Sequence, residues 1–312
     1  MEQSIEKIRE NIGKVIVGQK ETISLLLTAL IAGGHVLIED VPGMGKTVLA
    51  ASLAKSIGAK FSRIQFTPDL LPSDVTGLNY FNQKLGEFVF KDGPAFCNIL
   101  LADEINRATP RTQSSLLECM GEKQITVDGV TRVLERPFFV IATQNPIETL
   151  GTYPLPEAQM DRFLLRISME TPSKSDELAI LNRFLRAEPL ADLPPVCSGQ
   201  EIMALCVAAQ NLFIHPALMD YIVNLVHASR TYPNVEIGVS PRGSLALLRA
   251  CRAYALVQGR EYVVPEDIKA IAVSVLSHRI QINGALGSVA EQKKIIEGLL
   301  ATVPLPTEDW KR

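Results

Sequence analysis

The residues whose types suit chemistry fall into three clusters: Gly43, Gly45, Lys46 and Thr47; Asp103 with Glu104; and Asn145. The stretch Val41-Pro42-Gly43-Met44-Gly45-Lys46-Thr47-Val48 offers glycines whose backbone N–H groups can close around phosphate oxygens. Lys46 would reach the β- and γ-phosphates of a nucleotide, and the Thr47 hydroxyl would ligate Mg²⁺. Asp103 would hold the same ion, directly or through water, and Glu104 would orient and activate the attacking water. The Asn145 amide falls where it could sense a γ-phosphate or position water. Together these point to hydrolysis of a nucleoside triphosphate. No Asn-Lys-x-Asp guanine motif occurs, which favours ATP. Each cluster also has a plainer reading: a glycine-rich turn that binds nothing, two acids capping the helix that starts near Thr109, and turn chemistry before Pro146.

Such a loop needs a strand before it and a helix after it. Val36, Leu37 and Ile38 form a short apolar run of strand type, and Val48 to Ile57 reads as the helix. One position departs from the usual pattern, because Asp40 stands where the first glycine would fall. Asp tolerates left-handed backbone better than most residues, so the loop can still close. Asn98 to Asp103 and Phe138 to Asn145 are apolar runs that end in polar groups, which predicts buried parallel strands delivering side chains at their carboxyl edge. Phe61 to Phe66 and Leu164 to Ile167 read as further strands, and residues 4–14 and 21–31 as two leading helices. Two hairpins interrupt the alternation. One joins strands across Lys84 to Gly86, and the other turns on Asp128-Gly129 within Gln124 to Glu135. The first is an insertion that an open α/β sheet does not require, which suggests a task at a surface or pore.

Composition bounds the alternatives. The 312 residues suit about two domains, and 47% hydrophobic with 21% charged residues describes a globular protein with ample core. A net charge of −3 and a pI near 5.9 carry no general electrostatic footprint for nucleic acid. Five cysteines, none spaced C-x-x-C, argue for a reducing compartment and against a zinc site or disulfide framework. Charged residues among the first ten exclude a secretory signal there, and the apolar stretch Ile23 to Ile38 is too short and polar to span a bilayer. A cytoplasmic protein is expected.

After Ile167 no strand-type run of comparable strength follows. Ser173 with Asp176, and Ser198 with Glu201, have the spacing of capping boxes, and helices are predicted over 216–232, 241–257, 265–276 and 290–300. The expected division is therefore an α/β nucleotide-binding core over 1–171 and an all-helical lid of about five helices over 172–312.

The order of phosphate loop, Asp-Glu strand, Asn strand end, late Arg and helical lid resembles an AAA+ P-loop ATPase over nearly the whole chain. Within that superfamily it is similar to the MoxR family. The likeness rests on Glu39-Asp-Val-Pro-Gly-Met-Gly-Lys-Thr47, Ala102-Asp-Glu-Ile-Asn-Arg107, Ala142-Thr-Gln-Asn-Pro146 and Leu155-Pro-Glu-Ala-Gln-Met-Asp-Arg-Phe163. The resemblance implies a five-stranded parallel sheet whose two hairpins are a helix-2 insertion and a pre-sensor hairpin. It also implies roles: Val17, Gly18 and Gln19 near the adenine, Lys46 and Thr47 as Walker A, Asp103 and Glu104 as Walker B, and Asn145 as first sensor. Arg162 would be the arginine finger serving a neighbouring subunit, and Arg242 the second sensor, acting in cis or in trans. As bare sequence, both arginines also read as exposed surface charges. Arg107 and Arg111 are further candidates for the interface. The implied assembly is a homo-oligomer, expected as a hexameric ring. It would act as a chaperone-like remodeller in maturation of a partner, including metal insertion, often beside a von Willebrand factor A domain protein. A nucleic-acid-dependent motor and an ATP-gated scaffold are the competing classes. Neither hairpin tip is basic, and Glu104 is present, which weigh against them in turn.

Overall fold

The computed structural model describes residues 2–39, 43–145, 151–185, 188–282 and 289–306. Two helices lead, α1 (Glu2–Gly13) and α2 (Lys20–Ile31), followed by β1 (Val36–Glu39), α3 (Lys46–Ser56) and β2 (Phe61–Gln65). A short α4 (Pro72–Thr76) introduces the hairpin β3 (Gly77–Asn82) and β4 (Glu87–Asp92). Then come β5 (Ile99–Asp103), α5 (Pro110–Glu122), a second hairpin β6 (Gln124–Val127) and β7 (Val130–Val133), β8 (Phe139–Gln144), α6 (Glu157–Met160) and β9 (Leu165–Ile167). The remaining elements are α7 (Lys174–Phe184), α8 (Gly199–Asn211), α9 (Pro216–Ser229), β10 (Val235–Ile237), α10 (Pro241–Val257), α11 (Pro265–Leu276), β11 (Gln281–Ile282) and α12 (Val289–Thr302).

The central sheet is five-stranded and parallel, in the order β2-β5-β8-β1-β9. Strands β1, β5 and β8 are apolar at successive positions because both faces are covered, and side chains alternate between the faces. Val36 and Ile38 of β1, Ile99 and Leu101 of β5, and Phe139 and Ile141 of β8 enter one core with α1, α2 and α3. Leu37, Leu100, Ala102, Val140 and Ala142 enter the other, with Leu116, Leu117 and Met120 of α5. The expected fold class is thus present, and both hairpins stand where the chain pattern put them.

The part after Ile167 is helical with one correction. Val235–Ile237 pairs with Gln281–Ile282 as a small antiparallel sheet, and among the described residues α7 to α12 make six helices where about five were expected. Strands of three and two residues are too short to show a period of two, so the pairing leaves no trace in sequence. Both capping boxes form: the Asp176 and Glu201 amides donate to the Ser173 and Ser198 hydroxyls at 3.2 Å, and each acid accepts the serine's own amide in return. The division at 171/172 remains a proposal. The first core runs across it, joining α1 and α2 to α8 and α10, and Arg9 of α1 donates to the Val257 carbonyl at 3.0 Å. Among the described residues no helix is long and apolar enough to cross a membrane.

Candidate active site

Strand order determines what meets at the carboxyl edge. Because β8 lies between β5 and β1, the ends of all three open onto one place, the crevice where open α/β sheets take ligands. A cleft of about 440 Å³ there is lined by Gly43, Gly45, Lys46, Thr47, Val48, Arg63, Gln65, Asp103, Glu104, Thr143 and Asn145. Gly43, Gly45, Lys46, Thr47, Val48, Asp103, Glu104 and Asn145 therefore converge, and Met44 is partly buried against the core behind the loop. Val41 and Pro42 lie outside the described residues, as do Asp40 and Pro146.

The phosphate loop has the backbone its chemistry demands. Gly43 and Gly45 take φ of +91° and +82°, a left-handed region where an L side chain is strained, and open space lies where their Cβ atoms would be. Gly45 is the N-cap of α3, so the helix begins at Lys46 and its N-terminal partial positive charge lies at the cleft lined by Lys46, Thr47 and Val48.

The two carboxylates are held from neighbouring strands. Thr143 donates its hydroxyl to Asp103 Oδ1 at 2.6 Å and accepts the Glu104 amide at 2.8 Å. Glu104 is forced out of the strand into left-handed backbone (φ 56°, ψ 50°), a conformation that costs of order 1–3 kcal/mol and persists where surrounding contacts hold it. From edge strand β2, Arg63 pairs with Asp103 Oδ2 at 2.7 Å and Gln65 donates to Glu104 Oε2 at 2.8 Å. Arg107, in a 3-10 turn after the strand, lies 3.1 Å from Glu104 Oε2. Its side chain is 38% exposed, and Arg111 is exposed in the first turn of α5.

This donor set fits a magnesium nucleotide. Among the described residues no group of three or more His, Cys, Asp or Glu is placed to hold a metal. A hydroxyl and one carboxylate beside a phosphate cradle are what Mg²⁺ takes, since it completes its shell with water and substrate phosphates. Thr47 and Asp103 would hold the ion, and Lys46 with the loop amides would hold phosphates.

Other expected residues stand apart from the cleft. Arg162 is exposed and donates to the Leu117 carbonyl at 2.8 Å, lying against Gly121 at the end of α5. Arg242, 68% exposed at the start of α10, lies 3.3 Å from Asp161. Asp161 also holds Arg279 at 2.7 Å; Arg279 is buried and donates to the Phe163 carbonyl at 2.7 Å. Burial lowers the Arg279 guanidinium to about 10, against the pull of Asp161. Gln19 is buried and committed to the backbone: its Nε2 donates to the Glu170 carbonyl at 2.6 Å and its Oε1 accepts the Glu170 amide at 3.2 Å. Gly18 (φ +73°) faces Asp176 at the start of α7, and Val17 is half-buried beside it. Sequence reasoning missed Arg63, Gln65, Thr143 and Arg279. The one available signal was polar residues in the last positions of strand-type runs, as in Arg63-Ile-Gln65 and Thr143-Gln-Asn145.

The two hairpins interlock beyond the sheet edge. The Arg132 guanidinium sits 3.7 Å over the Phe90 ring, and Asn79 donates to Asp128 at 2.7 Å. Tyr80, Phe81, Leu85 and Phe88 are exposed on the first hairpin, with Phe81 and Phe88 edge to face at 5.4 Å.

Comparison with known proteins follows the same lines. Residues 35–165 match the family described as "ATPase family associated with various cellular activities (AAA)", and residues 227–298 match the AAA lid domain. The chain is similar to the uncharacterized protein YeaC of Bacillus subtilis, at 48% identity over 97% of this chain and 95% of that one. It is similar to Chaperone MoxR1 of Mycobacterium tuberculosis, at 42% identity over 97% and 82% respectively. A crystal structure of a Cytophaga hutchinsonii protein superposes with a TM-score of 0.90 and 40% identity, covering 98% of this chain and 96% of the other.

Proposed function

The chain belongs to the MoxR family of AAA+ ATPases, and from that premise we propose that it turns over magnesium-bound ATP in the cleft at the end of β1, β5 and β8, driving a chaperone-like cycle on a partner protein. The supporting observation is the convergence of Lys46, Thr47, Asp103, Glu104 and Asn145 on one cleft. Lys46 and the amides of residues 43–48 bind the phosphates. Magnesium, when held by Thr47 and Asp103, supplies charge neutralisation on the β- and γ-phosphates. Glu104 accepts the proton of the attacking water, and Asn145 orients that water against the γ-phosphate, so that ADP and phosphate leave. The adenine would lie toward Val17, Gly18 and Gln19. Gln19 then acts by fixing the backbone there, since its amide is committed to Glu170.

Arg162 and Arg242 serve a neighbouring subunit in this reading. Both lie outside their own cleft: Arg242 pairs with Asp161, and Arg162 is exposed and bound to the Leu117 carbonyl. Arginines supplied in trans contribute about 10³- to 10⁵-fold to such reactions, which requires a homo-oligomeric ring, here a hexamer. The client contacts the first hairpin, whose exposed Tyr80, Phe81, Leu85 and Phe88 suit an apolar protein segment better than a phosphate backbone. Maturation of a partner, with metal or cofactor insertion as one form and a von Willebrand factor A domain protein as co-factor, is the task proposed for that contact. Five buried free thiols accord with a cytoplasmic setting.

The test is specific ATPase activity against protein concentration, with Arg162→Ala and Lys46→Ala assayed alone and mixed. Activity should rise with concentration, each variant alone should be nearly inert, and mixing should restore part of the rate. Concentration-independent turnover, or full activity in Arg162→Ala, would sink the trans assignment.

A further inference from the structure

Arg166 and Glu39 form a buried pair where the sheet meets the lid. Arg166 stands on β9 in register with Leu37 of β1, and Glu39 closes β1 immediately before the phosphate loop. Their side chains are 4% and 8% exposed. Arg166 Nε lies 3.7 Å from Glu39 Oε2, close enough for attraction and too far for a hydrogen bond, and among the described residues this nitrogen has no hydrogen-bond partner.

The other arm of the guanidinium is spent on the lid. Nη2 donates to Gln292 Oε1 on α12 at 2.7 Å and to Ser277 Oγ, in the 3-10 turn after α11, at 3.2 Å. Gln292 donates in turn to the Ile280 carbonyl at 3.0 Å, and the adjacent Lys293 reaches Ser168 Oγ at 3.5 Å. One cation therefore touches the strand that leads into the phosphate loop and the last helix of the lid. Burial raises the Glu39 carboxyl, and Arg166 and Lys293 oppose that rise, so the carboxylate depends on both.

A buried guanidinium without partners is costly, and its five donors are fixed in one plane. It cannot follow Glu39 without turning the nitrogen that holds Gln292. The half-made contact to Glu39 leaves room for such a turn. We propose that Arg166 is a positioning residue that ties nucleotide occupancy of the phosphate loop, through Glu39, to the placement of α12 through Gln292. The link rests on the reading that the cleft binds nucleotide. It differs from an ordinary buried ion pair in a checkable respect, since an ion pair alone stabilises the fold and transmits nothing.

Hydrogen exchange on the full chain with and without saturating ADP tests it, with ADP binding followed in the same samples by a fluorescent analogue. In wild type, ADP should slow exchange in α3 and also in α12, the latter by about fivefold or more, the lower bound typical of coupled sites. In Glu39→Gln and Gln292→Ala, α3 should still respond while α12 should not. Should Glu39→Gln fail to fold, Gln292→Ala decides alone, because its side chain is half-exposed and its removal leaves the core intact. A wild-type α12 that ignores bound ADP, or a Gln292→Ala α12 that responds fully, overturns the coupling and leaves the cleft assignment standing. Failure of wild type to bind ADP overturns both.

Discussion

Thr143 donates its hydroxyl hydrogen to Asp103 Oδ1 at 2.6 Å, from one central strand to the next. The same oxygen accepts the amide of Glu104 at 2.8 Å, so one side chain orients the acid proposed to hold magnesium and anchors the strained residue beside it. Thr143→Val keeps the branched shape and removes both bonds. Turnover should fall about 10- to 100-fold, the usual cost of losing a group that orients a ligand. Nucleotide binding without magnesium should hardly change. Steady-state kinetics against magnesium concentration checks this, and an unchanged rate would refute the role.

Glu104→Gln keeps the shape and cannot accept a proton. Phosphate release should fall by roughly 10²- to 10⁴-fold while nucleotide binding survives. Lys46→Ala should instead lose binding, because the charge facing the phosphates goes. Equal turnover in Glu104→Gln and wild type would favour an ATP-gated scaffold. Calorimetric titration with ATP beside phosphate release separates the outcomes.

Asp161→Ala leaves the buried Arg279 without its carboxylate. Removing one partner of a buried pair costs about 3–5 kcal/mol, and the 20% exposure of Asp161 places the loss toward the lower end. Urea unfolding should show that loss. Arg242→Ala, whose side chain is largely exposed, should shift the midpoint little while impairing ATPase in the assembled ring. A large stability loss in Arg242→Ala would make it structural.

Acid should destabilise the fold through His35. Its Nδ1 accepts the Val140 amide at 3.0 Å, which leaves Nε2 to donate to the Met120 carbonyl at 3.1 Å in the neutral ring. Burial lowers its pKa from 6.5 to about 4. Between those values the unfolded chain binds a proton that the native chain refuses. Stability is therefore full above about pH 7 and falls as pH drops toward 4, by roughly 3 kcal/mol at most. His278, buried beside Arg279, is shifted in the same direction. Unfolding midpoints across that range should decline in wild type and decline less in His35→Gln.

What could be read from sequence was local. Gly43, Gly45, Lys46 and Thr47 are adjacent in the chain, the capping boxes at Ser173 and Ser198 span three residues, and Asp128-Gly129 makes its own turn. Strands buried on both faces betray themselves as apolar runs ending in polar groups, and Asp103, Glu104 and Asn145 stand at the ends of such runs. Members of one site that lie far apart in the chain carry no such signal. Arg63 and Gln65 fall within the strand expected over 61–66, and only the pairing of β2 with β5 brings them against Asp103 and Glu104. The resemblance implies a place near the adenine for Gln19, and the fold commits its side chain to the backbone of Glu170.

The chain by itself determined the chemistry available, the parallel α/β core and the helical remainder, because period, caps and glycine-bearing turns are properties of neighbouring residues. Tertiary structure alone decided which polar side chains share a cleft, that Arg242 and Arg279 meet at Asp161, and that Arg166 bridges Glu39 to Gln292. Those relations follow from strand order and from how helices pack on the sheet, and burial rewards any arrangement that closes the core, so side chains more than a hundred residues apart meet only once the whole chain has folded.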